Sequence, residues 1–285
     1  MNLTAKGVIG MKMKKLLRLA MTLLVASGIG GVATGHNPVN LVHQGATNLT
    51  RSTTTEAATM TPPSEALAKS VLTPAVTKQL GGSVQWNRAG AFIINGNQPN
   101  LNAKINAAPY AVNRLDDQGR AWQGDAWLNK STRQYRSREE TGQGRTYWRP
   151  KGFLQASHLA NGPNHAYDRG HLLGYALVGN LRGFDASESN PKNIATQTAW
   201  ANEARAQNST GQNYYEGLVR RALDQNKQVR YRVTNIYNGD NLVPSGAHLE
   251  ALSADGSVAF NVFVPNVQPN IRINYATGAV TAVKP

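Results

Sequence analysis

The chain has no cysteine among its 285 residues. Disulfide staples, thiolate zinc sites and cysteine nucleophiles are therefore excluded. A domain of this length can bury enough apolar surface to hold without cross-links. Acidic residues are scarce as well: 16 Asp and Glu stand against 30 Lys and Arg, a net charge of +14. Such an excess suits a polyanionic partner, either nucleic acid or an anionic envelope surface, although a merely solubilising surface has the same composition. Long apolar runs are lacking except for one near the start, from Leu19 to about Thr34.

That run follows Lys12, Lys14, Lys15 and Arg18. A basic segment before a short apolar one reads as a secretory signal over residues 1–34, with Gly31 and Ala33 as the small residues of a cleavage site. Retention as a signal anchor is the competing reading, because the run is near the lower limit for spanning a bilayer. Cleavage is favoured, and a membrane becomes a partner only if the segment stays. Met11 and Met13 are alternative starts. Either way the chain is expected to be secreted or anchored at the cell surface. Residues 1–33 hold five cations and no acid, so the remainder still carries an excess of nine positive charges. Residues 35–80 are rich in Thr, Ala, Asn, Ser and Pro and read as a flexible tether. The globular domain is expected over residues 81–285.

Within it, Ala91-Phe92-Ile93-Ile94 running into Asn95-Gly96 predicts a strand and a turn. Arg120–Tyr135 is strand-like, and Val229–Thr234 alternates apolar with polar residues at the period of a half-buried strand. His248–Ser253 and Val258–Val264 flank Ala254-Asp255-Gly256, a hairpin signal. One helix is predicted over Gln212–Asn226, where Tyr215, Leu218, Val219 and Ala222 form an apolar stripe flanked by Glu216 and Arg220. The expected fold class is α+β, a mainly antiparallel sheet with few helices.

The chemistry concentrates in Asp168-Arg169-Gly170-His171, between a Gly/Asn/Pro loop and the apolar run Leu172–Leu177. Histidine titrates near neutrality without help and is the natural group to deprotonate a water. His158 and His165 precede it and raise the idea of a zinc cluster. The absence of cysteine and of an H-E-x-x-H pattern argues against one. Tyr175 and Trp200 read as core residues.

From about residue 85 onward the sequence resembles the DNA/RNA non-specific endonucleases with a ββα-metal (His-Me finger) site. The likeness is greatest to the surface DNA-entry nucleases and secreted DNases of Gram-positive cocci. It is densest in Tyr167–Tyr175, Asn190–Asn202 and Gln212–Leu223. The resemblance implies that His171 is the general base. It implies that Asn202, closing the stretch Asn193-Ile194-Ala195-Thr196-Gln197-Thr198-Ala199-Trp200-Ala201-Asn202, is the metal ligand. It further implies that Glu216 orients the metal's waters and that Arg220 binds phosphate. The gap from Asn202 to Glu216 is longer than in the Serratia-type branch, and Gln207–Gly211 argues against one helix across it. Magnesium is the expected metal, with manganese as a substitute. The expected reaction is sequence-non-specific endonucleolytic hydrolysis of DNA, RNA remaining open, with 5′-phosphate products.

The residues are chemically coherent for this reaction. His171 takes a proton from water, and a hard cation on the neutral Asn202 amide keeps most of its charge for the phosphate. Arg169 and Arg220 add charge stabilisation. Asn193 and Gln197 are expected to support the site, with packing an equal alternative, and Asp168 is expected to fix the loop backbone. Upstream, Lys130–Lys151 carries Arg133, Arg136, Arg138, Arg145 and Arg149 with Tyr135, Tyr147 and Trp148 interleaved, a pattern that suits contacts to nucleic-acid phosphates. A solvated basic face is the bland alternative. Two other functions fit part of the pattern. A non-catalytic nucleic-acid receptor explains charge and export, and an envelope-binding structural protein explains charge and tether.

Overall fold

The computed structural model describes residues 60–144 and 146–283. The expected export segment, the tether up to residue 59 and Arg145 lie outside them. Two short helices come first, α1 (Glu65–Lys69) and α2 (Pro74–Leu80). The strands β1 (Val84–Trp86), β2 (Phe92–Ile94), β3 (Tyr110–Leu115) and β4 (Ala121–Leu128) follow. Then come β5 (Tyr167–His171), α3 (Tyr175–Val178), β6 (Ile194–Thr198) and α4 (Ala199–Glu203). The chain continues through β7 (Arg205–Ala206), β8 (Ser209–Thr210) and α5 (Gln212–Asp224). It ends with β9 (Val229–Ile236), β10 (Gly246–Ser253), β11 (Ala259–Pro265), β12 (Ile271–Ile273) and β13 (Val280–Ala282).

Seven strands form one sheet in the order β1-β2-β11-β10-β9-β4-β3, with every neighbouring pair antiparallel. The pairs β5–β6, β7–β8 and β12–β13 stand apart as small antiparallel ribbons. The α+β expectation therefore holds. The hairpin signal at Ala254-Asp255-Gly256 lies between β10 and β11, paired from Gly246↔Pro265 to Leu252↔Ala259. The predicted helix is α5, and it buries Tyr215, Val219 and Ala222, with Leu218 half-buried beside them. Two predictions change in extent. The strand foreseen across Arg120–Tyr135 stops at Leu128, because Asn129 accepts the Ser131 amide and starts a 3₁₀ turn at Lys130–Thr132.

The second change is at the start of the domain. Residues 61–80 are not tether. The Ser64 side chain accepts the Leu67 amide, Thr73 accepts that of Val76, and Pro74 occupies the first turn of α2. These are ordinary helix-start signals in a segment whose composition otherwise resembles a linker. Gly81, at φ 70°, ends α2 in the left-handed region that favours glycine. The two helices bury Ala68, Val71, Val76 and Leu80 against Phe92, Ile94, Ile236 and Phe263.

The larger core lies on the other face of the sheet. Phe260, Val262 and Val264 point into it, whereas Phe263 joins the α1–α2 cluster, as the alternation of a strand requires. Here Tyr231, Val233, Leu249 and Ala251 meet Leu172, Leu173, Trp200, Val219 and Leu223. This packing seats β5, β6, α4 and α5 on the sheet and so positions the candidate site. Among the described residues no helix is long and apolar enough to cross a membrane.

Leu80→Ala tests where the domain begins. Leu80 is 4% exposed, and truncating it should cost about 2–5 kcal/mol by the usual range for buried leucines. Equilibrium urea unfolding measures this; a tether residue would show no loss.

Candidate active site

The site begins with a register. Strands β5 and β6 pair antiparallel from Tyr167↔Thr198 to His171↔Ile194, so Asp168 lies opposite Gln197. Gly170 permits this approach, because a Cβ there would sit 2.3 Å from the Gln197 Cβ. Thr198 then turns the chain directly into α4: its hydroxyl accepts the Ala201 amide and donates to the Val267 carbonyl. Asn202 is carried on that helix. The polar stretch expected to interrupt a continuous helix does so as the β7–β8 hairpin, and α5 then brings Glu216 back. The three regions thus meet around one cleft of about 700 Å³, lined by Asp168, Arg169, His171, Asn202 and Glu216 together with Arg138 and Arg149.

In one half of the cleft, His171 Nε2 lies 2.9 Å from Glu216 Oε1. The Glu216 side chain is 4% exposed and that of His171 is 21% exposed. Gln212 Nε2 donates both to the His171 carbonyl, at 2.7 Å, and to Glu216 Oε1, at 3.2 Å. Gln197 donates in turn to Gln212 Oε1 at 3.0 Å. Burial alone would raise the Glu216 carboxyl. The charge and hydrogen bond of His171, the charge of Arg220 and the Gln212 bond together outweigh it and hold the group below its ordinary value. Gly174 makes room for the carboxylate, since a Cβ there would meet Glu216 Oε2 at 2.7 Å.

In the other half, Asn202 Nδ2 donates to Asp168 Oδ2 at 2.9 Å, while Asp168 Oδ1 lies 2.8 Å from His165 Nε2. The Asn202 Oδ1 atom is buried and has no hydrogen-bond partner. An orphaned amide oxygen is costly unless something else binds it. Asp168 fixes the amide that carries that oxygen. Its carboxylate meets the side chains of Asn202 and His165, where a contact to the loop backbone was expected from the sequence.

Other expected site residues are engaged differently. Asn193 is fully buried and clamps the turn after His171, accepting the Leu173 amide and donating to the Leu173 carbonyl, both at 3.0 Å. Arg169 donates from Nε to the Trp148 carbonyl and from Nη2 to the Thr146 carbonyl, tying that loop to the cleft wall. Arg220 Nη2 donates to the Asn213 carbonyl and Oδ1, with Nη1 3.6 Å from Glu216 Oε2. Arg220 does not line the cleft, and these contacts make it a partner of Glu216. Trp200 is fully buried and Tyr175 nearly so, as expected.

The basic run divides. Arg133 is buried, paired with Asp224 and donating to the Ala176 carbonyl, so it holds the 3₁₀ turn against α3 and α5 and is not open to a phosphate. Arg136 is exposed but outside the cleft lining. Arg138 lines it, donating to the Ala186 carbonyl at 2.6 Å with its guanidinium 4.5 Å from the Tyr175 ring centroid. Gln212, His165 and Glu203 complete the neighbourhood; Gln212 and Glu203 were not singled out in the sequence, and His165 was weighed there only with His158 as a zinc cluster. Their roles come from contacts across elements, without a spacing pattern.

Residues 88–281 match the family described as DNA/RNA non-specific endonuclease. The crystal structure of NucA from Streptococcus agalactiae with a magnesium ion bound superposes with a TM-score of 0.70 at 44% identity, covering 73% of this chain and 95% of that one. The same protein with no metal bound gives 0.68 at 43% identity, over 75% and 95%. The Sda1 nuclease with a bound zinc ion gives 0.51 at 18% identity, over 69% and 98%, a likeness of fold alone.

Glu216 has a measurable consequence for stability. A carboxyl held lower in the folded chain than in the unfolded one stabilises the fold above its unfolded value, about 4.3. That contribution is lost as pH falls through the lower folded value. Urea unfolding of the wild type should therefore weaken steeply below about pH 4.3, and Glu216→Gln should flatten that slope while lowering stability at neutral pH. An unchanged slope would show that the buried group is not ionised.

Proposed function

Because the chain belongs to the DNA/RNA non-specific endonucleases, we propose that it hydrolyses internal phosphodiester bonds of DNA, and of RNA, without sequence preference. In this reading the metal is magnesium, with manganese as substitute, and the protein acts outside the cell or at its surface. The observation that supports it best is the unpartnered Asn202 Oδ1 in the same cleft as the His171–Glu216 pair.

The residues present fit a hard cation. Asn202 offers a neutral oxygen, and its nitrogen is already anchored to Asp168, so the amide cannot turn away without losing that bond. When bound, magnesium would neutralise charge on the phosphate and the leaving oxygen. The proton work falls to His171. An ionised Glu216 accepts the Nε2 hydrogen, which leaves Nδ1 as the lone-pair atom to take a proton from water. The water oxygen attacks phosphorus as that proton passes to Nδ1. The bond to the 3′ oxygen then breaks, that oxygen takes up a proton from solvent while His171 returns its own to solvent, and the new end carries a 5′-phosphate. The role carried over for Glu216 thus moves: it positions the base directly. Arg138 and Arg149 supply charge along the cleft, and Arg169 holds the loop between them and His171.

His171→Ala should lower plasmid cleavage about 10²–10⁴-fold, the usual span for a general base, with oligonucleotide binding kept. Asn202→Ala should shift the magnesium titration of cleavage to higher concentration, and a chelator should stop wild-type cleavage. Binding by gel shift in chelator without cleavage in magnesium would favour the receptor reading instead.

Phosphate contacts are separable from packing by salt. In the His171→Ala background, Arg138→Ala and Arg149→Ala should each reduce the slope of log K against log salt by roughly 0.9 on duplex DNA. Arg133→Ala should instead lower the melting temperature and leave the slope alone. Equal slopes in all three variants would place the substrate groove elsewhere.

A further inference from the structure

Beside Asn202 the cleft holds a second donor set, of which the proposed reaction uses only Asp168, as the anchor of the Asn202 amide. His165, Asp168 and Glu203 come from a loop, from β5 and from the end of α4, and one ligand atom of each lies within 4.8 Å of the others. All three line the cleft. The sequence argued against a cluster of histidines, and His158 takes no part. The fold pairs one imidazole with two carboxylates instead.

The imidazole is prepared for a metal. His165 Nδ1 is 2.8 Å from Asn164 Oδ1, an oxygen that can only accept, so Nδ1 carries a hydrogen. Metal-binding histidines are commonly oriented in this way, by a donated bond from the nitrogen that does not ligate. Nε2 is the remaining donor atom, and it points at Asp168 Oδ1. An ion entering there takes the place of the Nε2–Asp168 contact. One imidazole nitrogen and two carboxylates with a fourth position open suit a borderline divalent ion better than magnesium, which prefers oxygen and retains water.

We propose that His165, Asp168 and Glu203 form a zinc-class site whose occupation opposes magnesium at Asn202. This rests on Asn202 being the magnesium ligand as proposed above. The coupling runs through Asp168: Oδ1 belongs to the new site, and Oδ2 holds the Asn202 amide. A dication drawing on Asp168 weakens that hold and places positive charge beside the magnesium position. Zinc is then an inhibitor that acts next to the catalytic ion without replacing it.

The test is calorimetric titration of the full chain with zinc chloride, without and with magnesium. One ion should bind per chain, and magnesium should weaken its binding. Asn202→Ala should keep this binding, and cobalt(II) should give the visible absorption of a low-coordinate site. His165→Ala and Glu203→Gln should abolish it or weaken it well beyond the 10–100-fold expected of Asn164→Ala, a supporting residue. Circular dichroism and thermal unfolding establish that each variant is folded. If a variant is not, Asn164→Ala carries the test alone. Zinc binding lost in Asn202→Ala but kept in His165→Ala would put zinc on the magnesium ligand and overturn the proposal, as would no binding at all. If zinc binds as described but magnesium leaves the affinity unchanged, the antagonism is wrong. Failure of the nuclease reading would show separately, as absence of magnesium-dependent cleavage, with the zinc titration intact.

Discussion

The pairing of β5 with β6 is the constraint on which the candidate site depends. It sets His171 opposite Ile194 and delivers the chain through Thr198 into α4, so the positions of His171 and Asn202 follow from one hydrogen-bonded register. A slip of one residue would turn every side chain of the ribbon to the other face. Several buried groups guard against it. Gly170 admits Gln197, Asn193 clamps the turn at Leu173, and Asn266 accepts the Thr198 amide while donating to the Thr196 carbonyl.

Polar side chains supply much of this rigidity in a chain without cross-links. Gln197, Gln212, Glu216 and His171 form a connected series; Gln268 donates to Asn270, and Asn266 separately binds the backbone of Thr196, Thr198 and Pro244. Such networks stabilise only when their members are satisfied, because an unpaired buried group costs more than a made bond gains. Among the few buried polar atoms of the described residues that lack a hydrogen-bond partner, Asn202 Oδ1 is the one whose residue lines the cleft. The basic surplus is likewise divided by packing. Arg230 and Arg232 pair with Asp125 on the sheet, and Arg133 with Asp224, so a good part of the positive charge is structural.

The motif residues were legible in the sequence because their chemistry is local. Asp168–His171, Asn193–Asn202 and the stripe of α5 each announce themselves within a few residues. The hairpin at Asp255-Gly256 and the strand at Val229 were legible for the same reason, through turn chemistry and period. The helices at residues 65–80 were hidden by composition, although Ser64, Thr73 and Pro74 are sound local signals once weighed. Arg133 and Arg138 could not be told apart, since both are cations in one run and only Asp224 and Tyr175, distant in sequence, distinguish them.

By itself the sequence determined the family resemblance, the α+β class, the absence of covalent staples and the identity of the candidate base and ligand. These depend on residue type and on short spacings. Only the tertiary structure decided that Glu216 meets His171, that Arg220 stands behind the carboxylate, and that His165 and Glu203 gather at Asp168. The reason is that such contacts join residues far apart along the chain, and their existence depends on how α4 and α5 pack onto the sheet. Packing then changes what the same residue types do, setting His171, Arg220 and Gln212 around Glu216 to keep it ionised and leaving the Asn202 amide oxygen without a protein partner.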